Sequence, residues 1–418
     1  MIRHGLRTKT ILAALLLLAS CGDAVAIQFS DAHYLTFDQN ATNNLSLQTA
    51  GAADINNDGR TDVVFVVGST GLPPYASTDF MVYAYEQQPN GSMALATKFS
   101  YAPGGIPQEQ YSGAALGDLN HDGKAELVMV GANNDLVIFS RAGDGTFSQA
   151  ARVPCPFRSI ETVIRDLDGD GNMDIIVQSG GVGFAVYKGN GSFTFAAPVY
   201  HLGYAQVSGP SNGNGGGFNL ADLNQDGRLD MLTVQQLGIG VLGVNYGLGN
   251  DLFGEPHRIP SSPSNPIAAT AGEFTGDGKT DIAGLYEERV DLGNNIEAIY
   301  QTIDIFERGV DGTFAKTHGF HYEDLGAVQW TTAMMRWDID HDGDDDIIVF
   351  RADHVEVLLQ DHGAFTLYVV PNSHDTFSQD PAITSAHIAD FNGDGCDDIG
   401  YADERGYVIN YRVDCPAH

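Results

Sequence analysis

Residues 166–174 read DLDGDGNMD, and the chain then runs on as IIV. Asp166, Asp168 and Asp170 alternate along the chain, Gly171 permits a sharp turn, and Asp174 returns behind it. Two unit charges about 4 Å apart repel by about 1 kcal/mol in water and about 4 kcal/mol at the intermediate dielectric of a protein surface. Such crowding favours unfolding unless a hard cation sits among the carboxylates. Calcium takes about six to eight oxygen ligands and tolerates irregular geometry. The stretch therefore predicts a calcium loop.

The pattern recurs as DINNDGRTD from Asp54, DLNHDGKAE from Asp118, DLNQDGRLD from Asp222, EFTGDGKTD from Glu273, DIDHDGDDD from Asp338 and DFNGDGCDD from Asp390. A solvated turn whose aspartates bond their own backbone explains one such loop, but not seven in register. Each loop passes into apolar, often β-branched residues such as VVFV, LVMV or IIVF, which read as strand. An EF-hand is excluded, because it needs a bidentate Glu at position twelve. Here Phe65, Met129, Val177, Thr233, Val349 and Tyr401 stand there. Motif starts lie 48 to 65 residues apart, the length of a four-stranded unit and far longer than a calcium β-roll repeat.

A glycine turn follows each pair of strands: NGSM at 90–93, GDGTF at 143–147, GNGSF at 189–193, VDGTF at 310–314 and DHGAF at 361–365. Asn-Gly and Asp-Gly predict hairpins with positive φ at both central residues. Copy four is looser, with GLGNDLF at 247–253, and copy seven ends at His418 one strand short. If the stretch from Ala26 to Phe37, AIQFSDAHYLTF, pairs beside the last hairpin, seven complete sheets close into a ring. The expected fold is all-β, a seven-bladed β-propeller with its N-terminal strand closing the last blade.

With these loops in view, the sequence resembles the FG-GAP or VCBS repeats of the integrin α-subunit head and of many exported bacterial proteins, over nearly the whole chain from Ala26. The resemblance implies calcium bound by the first, third, fifth and ninth side chains, with the seventh carbonyl. Those positions are Asp54, Asn56, Asp58 and Asp62, then Asp118, Asn120, Asp122 and Glu126, then Asp166, Asp168, Asp170 and Asp174. They continue as Asp222, Asn224, Asp226 and Asp230, then Asp338, Asp340, Asp342 and Asp346, then Asp390, Asn392, Asp394 and Asp398. In copy five, Glu273 and Thr275 replace the first two ligands and leave Asp277 and Asp281, so its site is expected to be weak or empty. The implied cofactor is calcium, at about six or seven sites.

The chain has 54 acidic and 21 basic residues and a net charge of −33. Bound calcium would offset much of this excess, which argues against nucleic acid and anionic membranes as partners. No composition break divides residues 27–418, which read as one propeller domain acting as a monomer. Residues 1–26 read as a signal peptide: a basic start, MIRHGLRTKT, then the apolar run ILAALLLLAS, too short to span a bilayer. Two cleavages fit. LASC at 18–21 resembles a lipoprotein box, cut after Ser20 with a lipid anchor at Cys21, and AVA at 24–26 fits a cut after Ala26. Either way the protein is expected outside the cytoplasm, secreted, periplasmic or at the cell surface, without a transmembrane span. Cys396 and Cys415 fall almost opposite each other across the turn near DERG at 403–406, as a disulfide or as two separate thiols, and Cys155 has no evident partner.

Catalytic signatures are missing: no G-x-S-x-G, H-E-x-x-H, C-x-x-C or phosphate loop. HGFH at 318–321 puts its histidines on opposite faces of a strand, and SGPSNGNGGG at 208–217 reads as an inter-blade loop. One irregularity stands out. The residue before the first ligand is small in five copies, Ala53, Gly117, Ala221, Gly272 and Ala389, but is Arg165 in copy three and Trp337, beside Arg336, in copy six. These three either fill space between blades or reach a shared central mouth as a ligand site, Trp and Arg being frequent anchors of recognition. The expected function is a binding or adhesion module for an extracellular glycan or protein. The alternative is a carbohydrate-active enzyme, polysaccharide lyase or hydrolase-like, using the propeller funnel.

Overall fold

The computed structural model describes residues 27–38, 45–69, 80–101, 114–131, 135–155, 159–179, 183–202, 218–235, 241–259, 265–293, 296–322, 331–351, 354–371, 385–403 and 406–415. Residues 1–26, with Cys21, and the glycine-rich stretch at 208–217 lie outside them.

Seven four-stranded antiparallel sheets form the blades. Blade one runs Leu45–Ala53, Asp62–Ser69, Met81–Gln87 and Met93–Ser100; blade two runs Ala114–Gly117, Glu126–Gly131, Asp135–Arg141 and Phe147–Pro154. Blade three is Ser159–Arg165, Asp174–Ser179, Gly183–Tyr187 and Val199–Leu202; blade four is Phe218–Ala221, Asp230–Gln235, Val241–Asn245 and the short His257–Arg258. Blade five has Asn265–Gly272, Asp281–Gly293, Ile296–Arg308 and Phe314–Tyr322, and blade six has Thr331–Trp337, Asp346–Arg351, Val355–Asp361 and Ala364–Val370. Blade seven takes Ser385–Ala389, Asp398–Asp403 and Gly406–Asn410 from one end of the chain and His33–Thr36 from the other.

The second strands are apolar on both faces because both faces are covered. Asp62–Ser69 is buried at every position. Val63, Phe65 and Val67 turn toward blade seven, and Val64 and Val66 toward blade two. Alternation of side chains along a strand thus feeds two cores at once. Seven apolar clusters result, each spanning one pair of neighbouring blades, and the set closes from blade six through seven to one. Fully burying one such side chain contributes about 1.5–3 kcal/mol.

Blade seven joins the two ends of the chain. His33 pairs with Ile409 and Thr36 with Gly406. Beyond that strand, the Ser30 N–H donates to the Tyr411 carbonyl (2.7 Å), the Val413 N–H to the Gln28 carbonyl (2.8 Å), and the Gln28 N–H to Asp414 Oδ1 (3.0 Å). Buried Arg412 donates to the Ile339 carbonyl of blade six. Cys396 and Cys415 are disulfide-bonded, with Cα atoms 5.9 Å apart.

The glycine turns differ from the hairpin expected for Asn-Gly and Asp-Gly. In NGSM, GDGTF and VDGTF only the glycine has positive φ: Gly91 at 81°, Gly145 at 87° and Gly312 at 80°. The N–H of Gly91 donates to the Gln88 carbonyl and that of Ser92's partner, Gln88, to the Ser92 carbonyl, a type I turn with a following glycine bulge. Asn90, Asp144 and Asp311 bend the chain by accepting the N–H two residues on. Only DHGAF has both central residues positive, His362 at 49° and Gly363 at 84°. In blade four GLGNDLF makes a separate small hairpin, Gly247–Gly249 with Leu252–Phe253. No helix among the described residues is long and apolar enough to cross a membrane.

Candidate functional site

Each acidic loop joins the innermost strand of a blade to the second. The register is constant: the residue before the loop pairs with the ninth loop residue, Ala53 with Asp62, Gly117 with Glu126, Arg165 with Asp174, Ala221 with Asp230, Gly272 with Asp281, Trp337 with Asp346 and Ala389 with Asp398. Between these pairs the chain turns through the left-handed region twice. The fourth residue has positive φ in every copy (Asn57, His121, Gly169, Gln225, Gly276, His341, Gly393), as does the sixth, always glycine. The first carboxylate ties the turn: the N–H of Gly59 donates to Asp54 Oδ2 (2.8 Å), and the same bond runs from Gly123 to Asp118 and from Gly395 to Asp390.

The ninth carboxylate is buried, and strands hold both of its oxygens. Asp62 Oδ2 accepts from the Ile55 N–H (3.1 Å) and Oδ1 from the Gln87 N–H (3.0 Å). Asp174, Asp230, Asp281, Asp346 and Asp398 repeat both bonds. Burial nevertheless pushes these acids up, to about 7 for Asp62, Glu126 and Asp346, about 6 for Asp174, Asp230 and Asp281, and about 8 for Asp398. The hydrogen bonds these carboxylates accept do not offset the lost hydration.

The donor set fits a hard cation. Carboxylate oxygens of Asp166, Asp168 and Asp174 converge within 4.8 Å, as do those of Asp338, Asp340 and Asp346. Asn56 Oδ1, third in loop one, is buried with no hydrogen-bond partner among the described residues. Oxygen donors at such spacing suit calcium better than softer metals. In copy five, where a weak or empty site is expected, carboxylate oxygens of Glu273, Asp277 and Asp281 converge in the same way. Glu273 Oε1 accepts the Thr275 and Asp277 N–H groups, so the longer side chain delivers its carboxylate to the place where aspartate stands elsewhere. In loop three, Lys188 reaches in from the third strand to Asp168, Asp170 (3.3 Å) and Asp251 of blade four (2.9 Å), so an ammonium already offsets part of that charge.

FG-GAP-like repeats match residues 54–129, 118–177, 166–233 and 338–401, more than half of the 418 residues. The chain belongs to the FG-GAP-like repeat family. Among solved structures, this FG-GAP propeller is similar to BBS1N in complex with ARL6DN, at 11% identity and a TM-score of 0.38, over 74% of this chain and 95% of that one. It is also similar to the rhamnogalacturonan lyase YesW, at 12% identity and a TM-score of 0.47, over 92% of this chain and 76% of that one. No curated protein matches the chain.

Immediately before the loops, the innermost strands of the FG-GAP propeller surround its axis. Among the described residues, these strands pack side by side between blades one and two, two and three, four and five, five and six, and seven and one, with no comparable contact from three to four or from six to seven. Small residues permit the close approaches: a Cβ on Gly117 would lie 2.5 Å from Ile164 Cγ2 of blade three. Arg165 and Trp337 stand where the next strand stays back. They meet in one cavity of about 290 Å³, lined by Val163, Ile164 and Arg165, by Asn219 and Leu220, and by Met335, Arg336 and Trp337. Arg336 Nη1 donates to Asp345 Oδ1 (2.9 Å), and Trp337 Nε1 to Asp397 Oδ2 (2.6 Å). The three residues singled out in the sequence therefore share a wall.

Proposed function

We propose that the mature chain, residues 27–418 behind a signal segment at 1–26, is an exported, calcium-loaded propeller. It serves as a binding or adhesion module for an extracellular glycan or protein, secreted, periplasmic or held at the cell surface, with Cys21 as lipid anchor if cleavage follows Ser20. The observation that carries the binding role is the cavity on the propeller axis, where blades three and six deliver two guanidinium groups and an indole to one space. A guanidinium stays protonated at any physiological pH. The groups at hand therefore hold a ligand rather than pass protons.

Calcium would be held by the first, third, fifth and ninth side chains of each loop, with Glu273, Asp277 and Asp281 in copy five. Its part is to supply the positive charge that the buried ninth carboxylates lack. Extracellular calcium modules often bind at about 10⁻⁴ to 10⁻³ M, so the loops would stay filled outside the cell. Export is supported by the signal-like start and by the Cys396–Cys415 disulfide, a bond that persists in oxidising compartments.

The test is an array of extracellular glycans and proteins, probed with the mature protein and with an Arg165→Ala, Trp337→Ala double variant in calcium. Captured ligand should be lost in the variant. A folded double variant with undiminished affinity would remove the cavity from the account.

A further inference from the structure

The lining of the axial cavity has a definite chemical character. Among the described residues its only charged members are Arg165 and Arg336, in a chain with 21 basic and 54 acidic residues. Two acidic loops begin one residue beyond lining residues, at Asp166 after Arg165 and at Asp338 after Trp337. Two cations lining one cavity in that setting reverse the local sign. Arg165 makes no hydrogen bond or ion pair to any described residue, so its whole donor fork is free. Arg336 spends one N–H on Asp345 and keeps the rest.

The remaining wall is suited to a ring. The bond from Trp337 Nε1 to Asp397 fixes the indole plane, and Leu220 and Met335 extend the apolar surface beside it. Asn219 gives its amide N–H to the Ala269 carbonyl (3.0 Å), which leaves the amide oxygen to accept a hydroxyl. The volume, about 290 Å³, is at the small end of ligand pockets.

We infer that the cavity takes a carboxylate-bearing sugar, a uronate residue of an acidic glycan. This rests on the binding-module reading above and names its ligand class. The guanidinium of Arg165 matches a carboxylate in a two-point, charge-assisted contact that an ammonium does not reproduce. The apolar C–H face of a pyranose covers the fixed indole, whose ring face carries the negative end of its quadrupole. An acidic peptide side chain would satisfy the arginines but would leave that flat surface without a partner. Loop charge enters as well. Cations in the loops offset the carboxylates around the rim, and without them an anion approaching within a Debye length of about 8 Å is repelled. Affinity for the acidic sugar therefore falls on chelation.

The experiment measures binding of the full mature chain, in millimolar calcium, to uronate oligosaccharides, to the same chains after carboxyl reduction, and to oligoglutamate. Uronate chains should bind, and reduction should weaken binding roughly tenfold or more, the equivalent of losing a charged hydrogen bond. Arg165→Gln should reproduce that loss on the unreduced chain, and EDTA should weaken it further. The wild-type comparison needs no variant and decides the matter if Arg165→Gln fails to fold. Equal binding of reduced and unreduced chains overturns the uronate assignment and leaves the binding module standing. Oligoglutamate bound as tightly as the uronate chain overturns the assignment in favour of a protein ligand. No binding to any of the three, together with an empty array, overturns both.

Discussion

Asp62, Asp346 and Asp398 are buried with two backbone N–H donors each, and that is too little for a charge. The consequence bears on the calcium proposed above, through the state of the chain without it. Burial raises these acids from 3.8 toward values between about 6 and about 8, so in that window the folded, metal-free chain holds more protons than the unfolded one. Stability falls with rising pH wherever the folded state binds the extra protons. In EDTA the melting temperature should therefore drop steadily as pH climbs from about 4 through about 8. In calcium the deprotonated acids are the ones that bind, and the decline should vanish or reverse. A thermal melt series in both buffers checks this, and parallel curves would contradict it.

At the scale of the loop, two left-handed residues at positions four and six make the chain fold back on its own carboxylates. Gly227 has φ of 84° and nothing within 4 Å of where a Cβ would go, so Gly227→Ala tests backbone conformation alone. It should cost about 1–2 kcal/mol by denaturant unfolding, the penalty for an L-residue in this region. No change would mean that the loop can relax without it. Gly227 was legible beforehand because the D-x-N-x-D-G spacing dictates a turn there. The fourth residue was not, since His121, Gln225 and His341 carry no mark of left-handed backbone. Other features resisted reading for similar reasons. Glu273 breaks the letter of the motif while its extra methylene restores the geometry. Lys188 is far along the chain from the loop carboxylates Asp168 and Asp170 that it bridges, and farther still from Asp251, so sequence proximity gives no hint. Blade five has second and third strands of thirteen residues each, Asp281–Gly293 and Ile296–Arg308, well past the six of Asp174–Ser179, and no turn signal placed their ends. Arg165, Arg336 and Trp337 were visible as exceptions to a run of small residues, and their meeting in one cavity needed the ring to be closed.

For the whole molecule, the decisive contacts join the two ends of the chain. The Cys396–Cys415 disulfide spans 19 residues and fastens the last segment to loop seven, beside the strand contributed by His33–Thr36. Loop-closure entropy puts its contribution at about 3 kcal/mol. Cys415→Ser should lower the unfolding midpoint by that order, and protease should then attack the C-terminal segment before any inner strand. An unchanged midpoint would show that the backbone pairing alone secures the junction. That same pairing has a consequence for biosynthesis. Because Gly406–Asn410 is a partner that His33–Thr36 must wait for, the ring cannot finish assembling on the ribosome until that distant strand has been made. A chain held open that long stays threadable, which is what the export proposed above would require.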